Sequence, residues 1–195
     1  MRKKIIVGID EVGRGPLAGP VMVGIVVSHG HIPLAGIHDS KRMTEAARER
    51  VYSALEELQA EGRVRFGVYA ESAEVIDTLG IQVAIARAVA RGLRDLEINP
   101  ADAEIALDAG LHAPQEYEQQ SIIHGDALVP AIALAAIAAK VTRDREMVST
   151  VAPLYPVYGF ESHKGYGTRA HLEALARHGS SPVHRKSFLT KLVLG

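Results

Sequence analysis

The chain has 195 residues, 47% hydrophobic content and a formal net charge of −1, values typical of one globular domain with room for a full core. It contains no cysteine, which excludes disulfides, zinc–thiolate sites and a cysteine nucleophile. The basic start meets Asp10 and Glu11 too early for a signal peptide, and no apolar run reaches the roughly 20 residues of a membrane span. We therefore expect a cytoplasmic protein.

The first predicted elements are two buried strands joined by a glycine-rich turn. Residues 4–10 form an apolar run that ends in the adjacent carboxylates Asp10 and Glu11, and residues 21–27 form a second, β-branched run. The short connection predicts an antiparallel pair. Carboxylates at the end of a buried strand need a counter-charge, either a divalent cation or a paired arginine.

The middle of the chain predicts helices that alternate with a strand. One helix is expected from Thr44, its N-cap, to about Glu61. Residues 64–70 alternate as a strand does. A short helix is expected from Ser72 and a longer one over 81–97.

Further carboxylates follow two more apolar runs. A short strand ends in Asp108, and the apolar run over 121–124 comes shortly before Asp126. Three strand ends are therefore expected to deliver acids to one edge of an α/β sheet: Asp10 with Glu11, Asp108, and Asp126. Oxygen ligands without cysteine or a nearby histidine favour Mg²⁺ or Mn²⁺.

A buried helix is expected to begin at Pro130 and to run to about Met147. Its last turns carry Lys140, Arg143 and Asp144 on one stripe. Asp144 has two interpretations: a fifth acid near the metals, or a partner of Lys140 or of a neighbouring arginine. We favour the second, a supporting role beside the site.

The end of the chain is expected to form a small helical region, residues 153–195, packed on a catalytic domain of residues 1–152. Its basic residues suggest a surface that faces a polyanion. These residues are Lys164, Arg169, Arg177, Arg185, Lys186 and Lys191. Helices are expected over 168–178 and from about His184. The spacing of His171 and His178 matches no standard zinc pattern, so we interpret both as surface residues.

Seven motifs in order resemble ribonuclease HII, the type 2 ribonuclease H of the ribonuclease H-like superfamily, along nearly the whole chain. One motif alone would mean nothing, but the ordered set is highly specific. The motifs lie at residues 8–20, 39–41, 107–109, 125–127, 139–145, 163–168 and 184–188. The resemblance implies an α/β fold: a ribonuclease H-like mixed β-sheet flanked by helices, with a small C-terminal helical region.

The resemblance also implies a monomeric enzyme that cleaves the RNA strand of RNA–DNA hybrids and nicks duplex DNA on the 5′ side of a single ribonucleotide. Two Mg²⁺ or Mn²⁺ ions would serve catalysis and leave 5′-phosphate and 3′-hydroxyl ends. The catalytic, metal-binding carboxylates would be Asp10, Glu11, Asp108 and Asp126, with Asp10 bridging both ions. Glu11 would contribute its side chain if the chain has turned by residue 11, or otherwise its backbone carbonyl.

Substrate contacts are implied at two glycine-flanked positions. Gly13-Arg14-Gly15 resembles the loop that reads the ribonucleotide strand, because its glycines let backbone amides approach a 2′-hydroxyl. Tyr166 matches the family tyrosine that packs on the sugar at the RNA-to-DNA junction. The candidate phosphate contacts are Lys41, Arg42, Lys164, Arg185 and Lys186.

Two positions depart from the family pattern: Leu128, where lysine is usual, and Ala136, where serine is usual. Neither change removes a carboxylate, so they bear only on substrate preference or packing. The alternative functions are a DNA nuclease that needs no ribonucleotide and a non-catalytic hybrid-binding protein. The second would require the loss of a catalytic carboxylate, whereas all four are present.

Overall fold

The core of the protein is one mixed sheet of five strands, seen in a computed structural model that describes residues 5–28 and 43–193. The order is β3-β2-β1-β4-β5, antiparallel from β3 to β1 and parallel from β1 to β5. This confirms the expected α/β class and the antiparallel first pair. The strands are β1 (Ile5–Val12), β2 (Val21–Ser28), β3 (Val64–Glu71), β4 (Ala103–Asp108) and β5 (Glu118–Ile122).

Helices cover both faces of this sheet and form the end of the chain. They are α1 (Glu45–Ala60), α2 (Ala73–Leu79), α3 (Ile81–Asp95), α4 (Gly125–Leu128), α5 (Pro130–Glu146), α6 (Ala152–Leu154), α7 (Phe160–His163), α8 (Arg169–His178) and α9 (Lys186–Val193). The side chains of Thr44 and Ser72 cap α1 and α2, as their positions predict. The predicted contacts Lys41 and Arg42, with the rest of the 39–41 motif, lie outside the described residues.

Helix α5 lies directly on the backbone of β1 and β2, because two strand glycines leave room for it. A Cβ atom at Gly8 would fall 2.2 Å from the carbonyl carbon of Ala131, and one at Gly24 would fall 2.1 Å from the carbonyl oxygen of Ala135. A side chain at either glycine would therefore push the helix away. The close packing brings the last turns of α5 to the end of β1.

The opposite face of the sheet packs on α3. Ile85, Val89 and Leu93 of this helix join Ile9 and Val23 in the largest apolar cluster. Because successive side chains of a strand point to opposite faces, Asp10 shares the α5 face with Gly8, and Glu11 shares the α3 face with Ile9. Among the described residues, no helix is both long and apolar enough to cross a bilayer.

The C-terminal helices are tied to the turn between β1 and β2. Gly19 N–H donates to the Val183 carbonyl at 2.8 Å, and Arg185 N–H donates to the Leu17 carbonyl at 2.8 Å. Asp77, at the end of α2, accepts hydrogen bonds from the backbone N–H groups of Lys186 at 2.8 Å and Ser187 at 2.9 Å. The start of α9 is therefore capped by a residue about a hundred positions away.

The strand predicted over 121–124 is confirmed only in part, at residues 121 and 122. Strand β5 ends at Ile122, and His124 adopts a left-handed conformation with φ 56° before Gly125 starts the short helix α4. Asp126 therefore lies in the first turn of a helix and not at a strand end. The apolar pair Ile122-Ile123 suggested a buried strand, but Ile123 is 73% exposed.

Candidate active site

Asp10 lies at the centre of a group of carboxylates. In the parallel pair of β1 and β4, Ile9 is opposite Leu107, which places the next residues, Asp10 and Asp108, side by side at the same edge. Asp10 is only 6% exposed. Burial, followed by the charges of Glu11 and Asp108, raises the pKa of the Asp10 carboxyl to about 8. The neighbouring carboxylates therefore disfavour the charged form of Asp10.

Asp126 approaches the strand edge through the turn that follows β5. Gly125 N–H donates to Oδ1 of Asp108 at 3.0 Å, which fixes the start of α4 against the end of β4. Asp126 follows and is 4% exposed. Its charge also contributes to the raised pKa of the Asp10 carboxyl, so each of the other three predicted carboxylates acts on Asp10.

Glu11 is still part of β1, because the strand continues to Val12. The alternative in which the chain has turned by residue 11 was therefore wrong. Arg14 Nε donates to Oε1 of Glu11, and Arg14 Nη2 donates to the Gly110 carbonyl at 3.3 Å. Oε2 of Glu11 is buried and has no hydrogen-bond partner within residues 5–28 and 43–193. A paired arginine thus neutralises one of the two adjacent acids, whereas burial raises the pKa of the other, Asp10.

These residues fit a hard divalent cation by their chemistry. Their donors are all oxygens, and Asp10 is buried among carboxylates. Because residue 11 continues the strand, the ligand expected from Glu11 is its backbone carbonyl. Within residues 5–28 and 43–193, no three acidic or histidine side chains form a ready-made metal site. Glu11 and Asp108 instead make hydrogen bonds within the protein. We therefore expect cation binding to draw the carboxylates together.

A cleft of about 430 Å³ opens beside Asp10 and Glu11. The glycine–arginine loop and Tyr166, which is 40% exposed, both line it. A Cβ at Gly13, whose φ is +93°, would lie 2.6 Å from Nε of Arg143, whereas a Cβ at Gly15 would meet no atom of the described residues within 4 Å. Gly13 is thus required by packing, and Gly15 leaves open space at the cleft.

Two positively charged side chains that line the cleft were not predicted as site residues. Arg48 of α1 and Lys140 of α5 both line it. The sequence contained an indication for Lys140, because this residue shares a helix face with Asp144. In the structure its Nζ lies 2.9 Å from Oδ1 of Asp144. This contact confirms the interpretation of Asp144 as an ion-pair partner. Arg48 had no comparable signal, because its place depends on the packing of α1 against α5.

The prediction that Arg185 contacts phosphate directly was wrong for this conformation, since the residue is fully buried. Its Nε donates to the Gly19 carbonyl at 3.0 Å and its Nη1 to the Arg14 carbonyl at 3.1 Å. Arg143, also fully buried, donates to the carbonyls of Pro20, Lys164 and Ala18 at 2.9, 3.1 and 3.2 Å. Arg143 and Arg185 therefore hold the turn between β1 and β2 in place by hydrogen bonds to its backbone carbonyls.

The remaining predicted residues fall into separate groups. Lys164 is half-buried with φ 51°, and Lys186 is exposed. The prediction that His171 is a surface residue was wrong, because it is fully buried, whereas His178 is exposed as expected.

The two departures from the family pattern lie near the site: Leu128 is 68% exposed, and Ala136 lines the cleft.

Comparisons with known proteins agree on one family. The family model for ribonuclease HII matches residues 7–191. A ribonuclease HII of Coxiella burnetii is 45% identical over 184 residues, which cover 94% of this chain and 88% of that protein.

Solved structures show the same fold. The ribonuclease H2 of Pyrococcus horikoshii OT3 has a TM-score of 0.73 at 25% identity and covers 94% of this chain and 93% of its own. A structure of Bst-RNase HIII in complex with Mn²⁺ has a TM-score of 0.65 at 18% identity, covering 96% of this chain and 65% of that one. The second likeness bears on the fold alone.

Proposed function

The chain belongs to the ribonuclease HII family, and we propose that it nicks duplex DNA on the 5′ side of a single embedded ribonucleotide as well as hydrolysing the RNA strand of RNA–DNA hybrids. Family membership makes it a hydrolase of the ribonuclease H type. The observation that carries the finer proposal is the position of the carboxylates beside a cleft that a glycine loop and an exposed tyrosine both line. The proposed products have 5′-phosphate and 3′-hydroxyl ends.

We propose that Asp10, Glu11, Asp108 and Asp126 hold two Mg²⁺ or Mn²⁺ ions during the reaction. Such ions supply an activated water and stabilise the charge on the leaving oxygen. The protein keeps the carboxylates oriented: Glu11 N–H donates to Oδ1 of Asp10 at 2.7 Å, and Gly125 N–H donates to Asp108.

The glycine loop and Tyr166 are proposed to recognise the ribonucleotide. The open space at Gly15 lets a sugar–phosphate backbone approach the loop amides, which suit a 2′-hydroxyl or a phosphate oxygen. The exposed ring of Tyr166 faces the same cleft and offers a surface for the neighbouring sugar. Arg48 and Lys140 join the half-buried Lys164 as proposed phosphate contacts.

Lys186 and Arg185 are proposed to have different roles in substrate binding. Lys186 is exposed at the start of α9 and is proposed to contact phosphate further along the duplex. Arg185, being buried, is proposed to act on the substrate only through the loop carbonyls that it holds.

A nicking assay tests the proposed function. We expect the protein with Mg²⁺ or Mn²⁺ to nick a labelled DNA duplex containing one ribonucleotide, and not an all-DNA duplex of the same sequence. Asp10→Asn and Asp126→Asn should abolish nicking, whereas Asp144→Asn, which alters an ion pair outside the carboxylate group, should retain it. Absence of nicking by the wild type, or nicking that survives the double replacement of Asp10 and Asp126, would refute the proposal. Cleavage of the all-DNA duplex would favour a DNA nuclease instead.

A second variant tests the part assigned to Tyr166. Tyr166→Ala should reduce cleavage at the single-ribonucleotide junction more than cleavage within a long hybrid. Calorimetric Mn²⁺ affinity should stay as in the wild type, because the tyrosine ring is proposed to contact the sugar and no ion. Equal loss of metal affinity would show that this role is wrong.

A further inference from the structure

Two buried imidazoles lie behind Tyr166. His171 and His184 are 0% and 1% exposed, and their Nε2 atoms are 3.0 Å apart. Nδ1 of His171 is 2.9 Å from the carbonyl oxygen of Tyr166. At the other end, Ser181 N–H donates to Nδ1 of His184 at 2.9 Å. A continuous chain of hydrogen bonds therefore runs from Ser181 to the Tyr166 peptide.

The direction of each hydrogen bond follows from its two ends. A backbone N–H only donates, so Nδ1 of His184 accepts from Ser181 N–H, and the Ser181 hydroxyl, whose oxygen is 2.8 Å from the same nitrogen, donates to it as well. The proton of a neutral His184 is therefore on Nε2. Nε2–H of His184 then donates to Nε2 of His171. His171 carries its own proton on Nδ1 and donates it to the Tyr166 carbonyl, which only accepts. One proton on each ring satisfies every member of the chain.

The surroundings keep both rings uncharged. Burial lowers the pKa of the His184 ring to about 4 and also lowers that of His171. The side chains that face them are Tyr158, Phe160 and the stacked ring of His163, whose centroid is 4.6 Å from that of His171. No carboxylate is among their described contacts. A neutral pair therefore persists at physiological pH.

Backbone hydrogen bonds hold the chain on both sides of Tyr166. The carbonyl of the preceding Gly165 accepts from Leu17 N–H at 2.8 Å, which joins this segment to the glycine loop. The Tyr166 carbonyl accepts from Thr168 N–H at 2.8 Å as well as from His171. Loss of His171 would leave that carbonyl with a partner, so the segment would survive but its peptide plane would be less fixed.

We infer that His171 and His184 are positioning residues, and that their hydrogen-bonded pair fixes the Tyr166 peptide and so the angle at which the tyrosine ring enters the cleft. The inference rests on the proposed role of Tyr166 at the ribonucleotide junction. The pair itself touches no substrate. Its effect should therefore appear in the choice of cleavage position more than in the rate on a uniform hybrid.

The test compares three variants on two substrates, a duplex with one ribonucleotide and a long RNA–DNA hybrid. His171→Leu removes the donor, and we expect the ratio of kcat/KM for the two substrates to fall about fivefold to tenfold, the equivalent of one hydrogen bond. His171→Asn places an amide N–H near the position of Nδ1 and should restore most of the ratio. His178→Leu changes an exposed histidine on the same helix and should leave the ratio unchanged.

Combination with Tyr166→Ala separates positioning from a general loss of structure. If the pair acts through the tyrosine, His171→Leu should have no further effect on the ratio in the Tyr166→Ala background. Equal loss on both substrates, or full additivity with Tyr166→Ala, would overturn the inference.

Nitrogen NMR of the wild type provides a test that needs no variant. We expect an Nδ1–H tautomer for His171 and an Nε2–H tautomer for His184 at pH 7. The reverse tautomers, or a doubly protonated ring, would overturn the inference even if His171→Leu fails to fold. If the wild type does not nick at all, the proposed function fails, and the tautomers still decide whether the neutral pair exists.

Discussion

The carboxylate group, Asp10 with Glu11, Asp108 and Asp126, and the reading segments, residues 13–20 and 163–168, are neighbours built on opposite principles. The carboxylate group gathers like charges, and the pKa of the Asp10 carboxyl rises to about 8. The reading segments are held by two fully buried arginines and a neutral histidine pair, which donate to backbone carbonyls. One region gathers negative charge, with Arg14 as a described counter-charge to Glu11, whereas the other has nearly all of its hydrogen bonds made.

This contrast explains which part of the site is complete before the substrate or a cation arrives. The reading segments are set by contacts within the protein, so their shape is available in advance. The carboxylates repel one another and favour any ligand that brings positive charge. We expect substitutions in the first region to change stability and selectivity, and substitutions in the second to abolish activity.

The largest expected effect is on catalysis in the carboxylate group. Asp10→Asn should reduce kcat/KM for the single-ribonucleotide duplex by on the order of a thousandfold or more, because the central oxygen ligand is changed. Steady-state nicking with Mg²⁺ measures this loss. Asp144→Asn is the control and should change the rate by less than about threefold, since its partner Lys140 is partly exposed. Similar losses in both variants would remove the distinction between the two acids.

The next effect is on stability in the reading segments. Arg143→Met removes donors from the carbonyls of Ala18, Pro20 and Lys164 and should lower the free energy of unfolding by about 3 to 4 kcal/mol. Urea unfolding monitored by circular dichroism provides the value. Arg145→Met, two residues along the same helix, loses a partly exposed ion pair with Glu49 and a cation–π contact with Tyr52, and should cost only about 1 kcal/mol. Equal costs would mean that Arg143 does not hold the loops.

Because the buried histidine pair is neutral in the folded protein, acid should lower the free energy of unfolding by about 3 kcal/mol at most. The pKa of His184 is about 4 in the folded protein against 6.5 unfolded, so the unfolded chain binds more protons between these values. Stability should therefore be full above pH 6.5 and fall as the pH drops toward 4. The raised pKa of Asp10 works in the opposite direction, so the profile is best measured in Asp10→Asn. A flat profile from pH 7 to 4.5 would contradict neutral burial of the pair.

The smallest effect concerns the attachment of α9. Hydrogen bonds from Ser187 and Lys186 outweigh the burial of Asp77 and lower the pKa of its carboxyl, so this stabilisation is lost as the pH falls through that lowered value. Asp77→Asn should cost about 1 kcal/mol in urea unfolding, as loss of a helix cap does. The exposed Glu74→Gln on the same helix should cost little. If both variants behave alike, Asp77 does not fasten α9.

Local patterns in the sequence were enough for much of this account. The apolar runs and caps predicted β1, β2, α1 and α5 closely, and the ordered motifs located the carboxylates. Asp126 was assigned to a strand end because Ile122 and Ile123 look like a buried strand, and only the left-handed turn at His124 reveals the short helix. Local periodicity carries little information about such a turn.

The burial of charged and titratable residues could not be predicted in the same way. Arg185 and His171 occur in a basic tail that resembles a solvated surface, and both are fully buried in the structure. Both side chains donate to backbone carbonyls, that of Gly19 for Arg185 and that of Tyr166 for His171, and carbonyls are the same at every position. Only the tertiary fold shows which basic residues turn inward.

The most direct test of the contrast is urea unfolding of the wild type and Asp10→Asn at pH 7, each with and without Mn²⁺. At pH 7 the folded Asp10 holds a proton that the unfolded chain has released, so the wild type bears a cost that grows from about pH 4 to pH 8. Without cation, Asp10→Asn should be the more stable protein by at least about 1 kcal/mol. Mn²⁺ should stabilise the wild type and have little effect on the variant. If the variant is no more stable, or Mn²⁺ shifts both proteins equally, repulsion within the carboxylate group does not lower the stability of the folded protein.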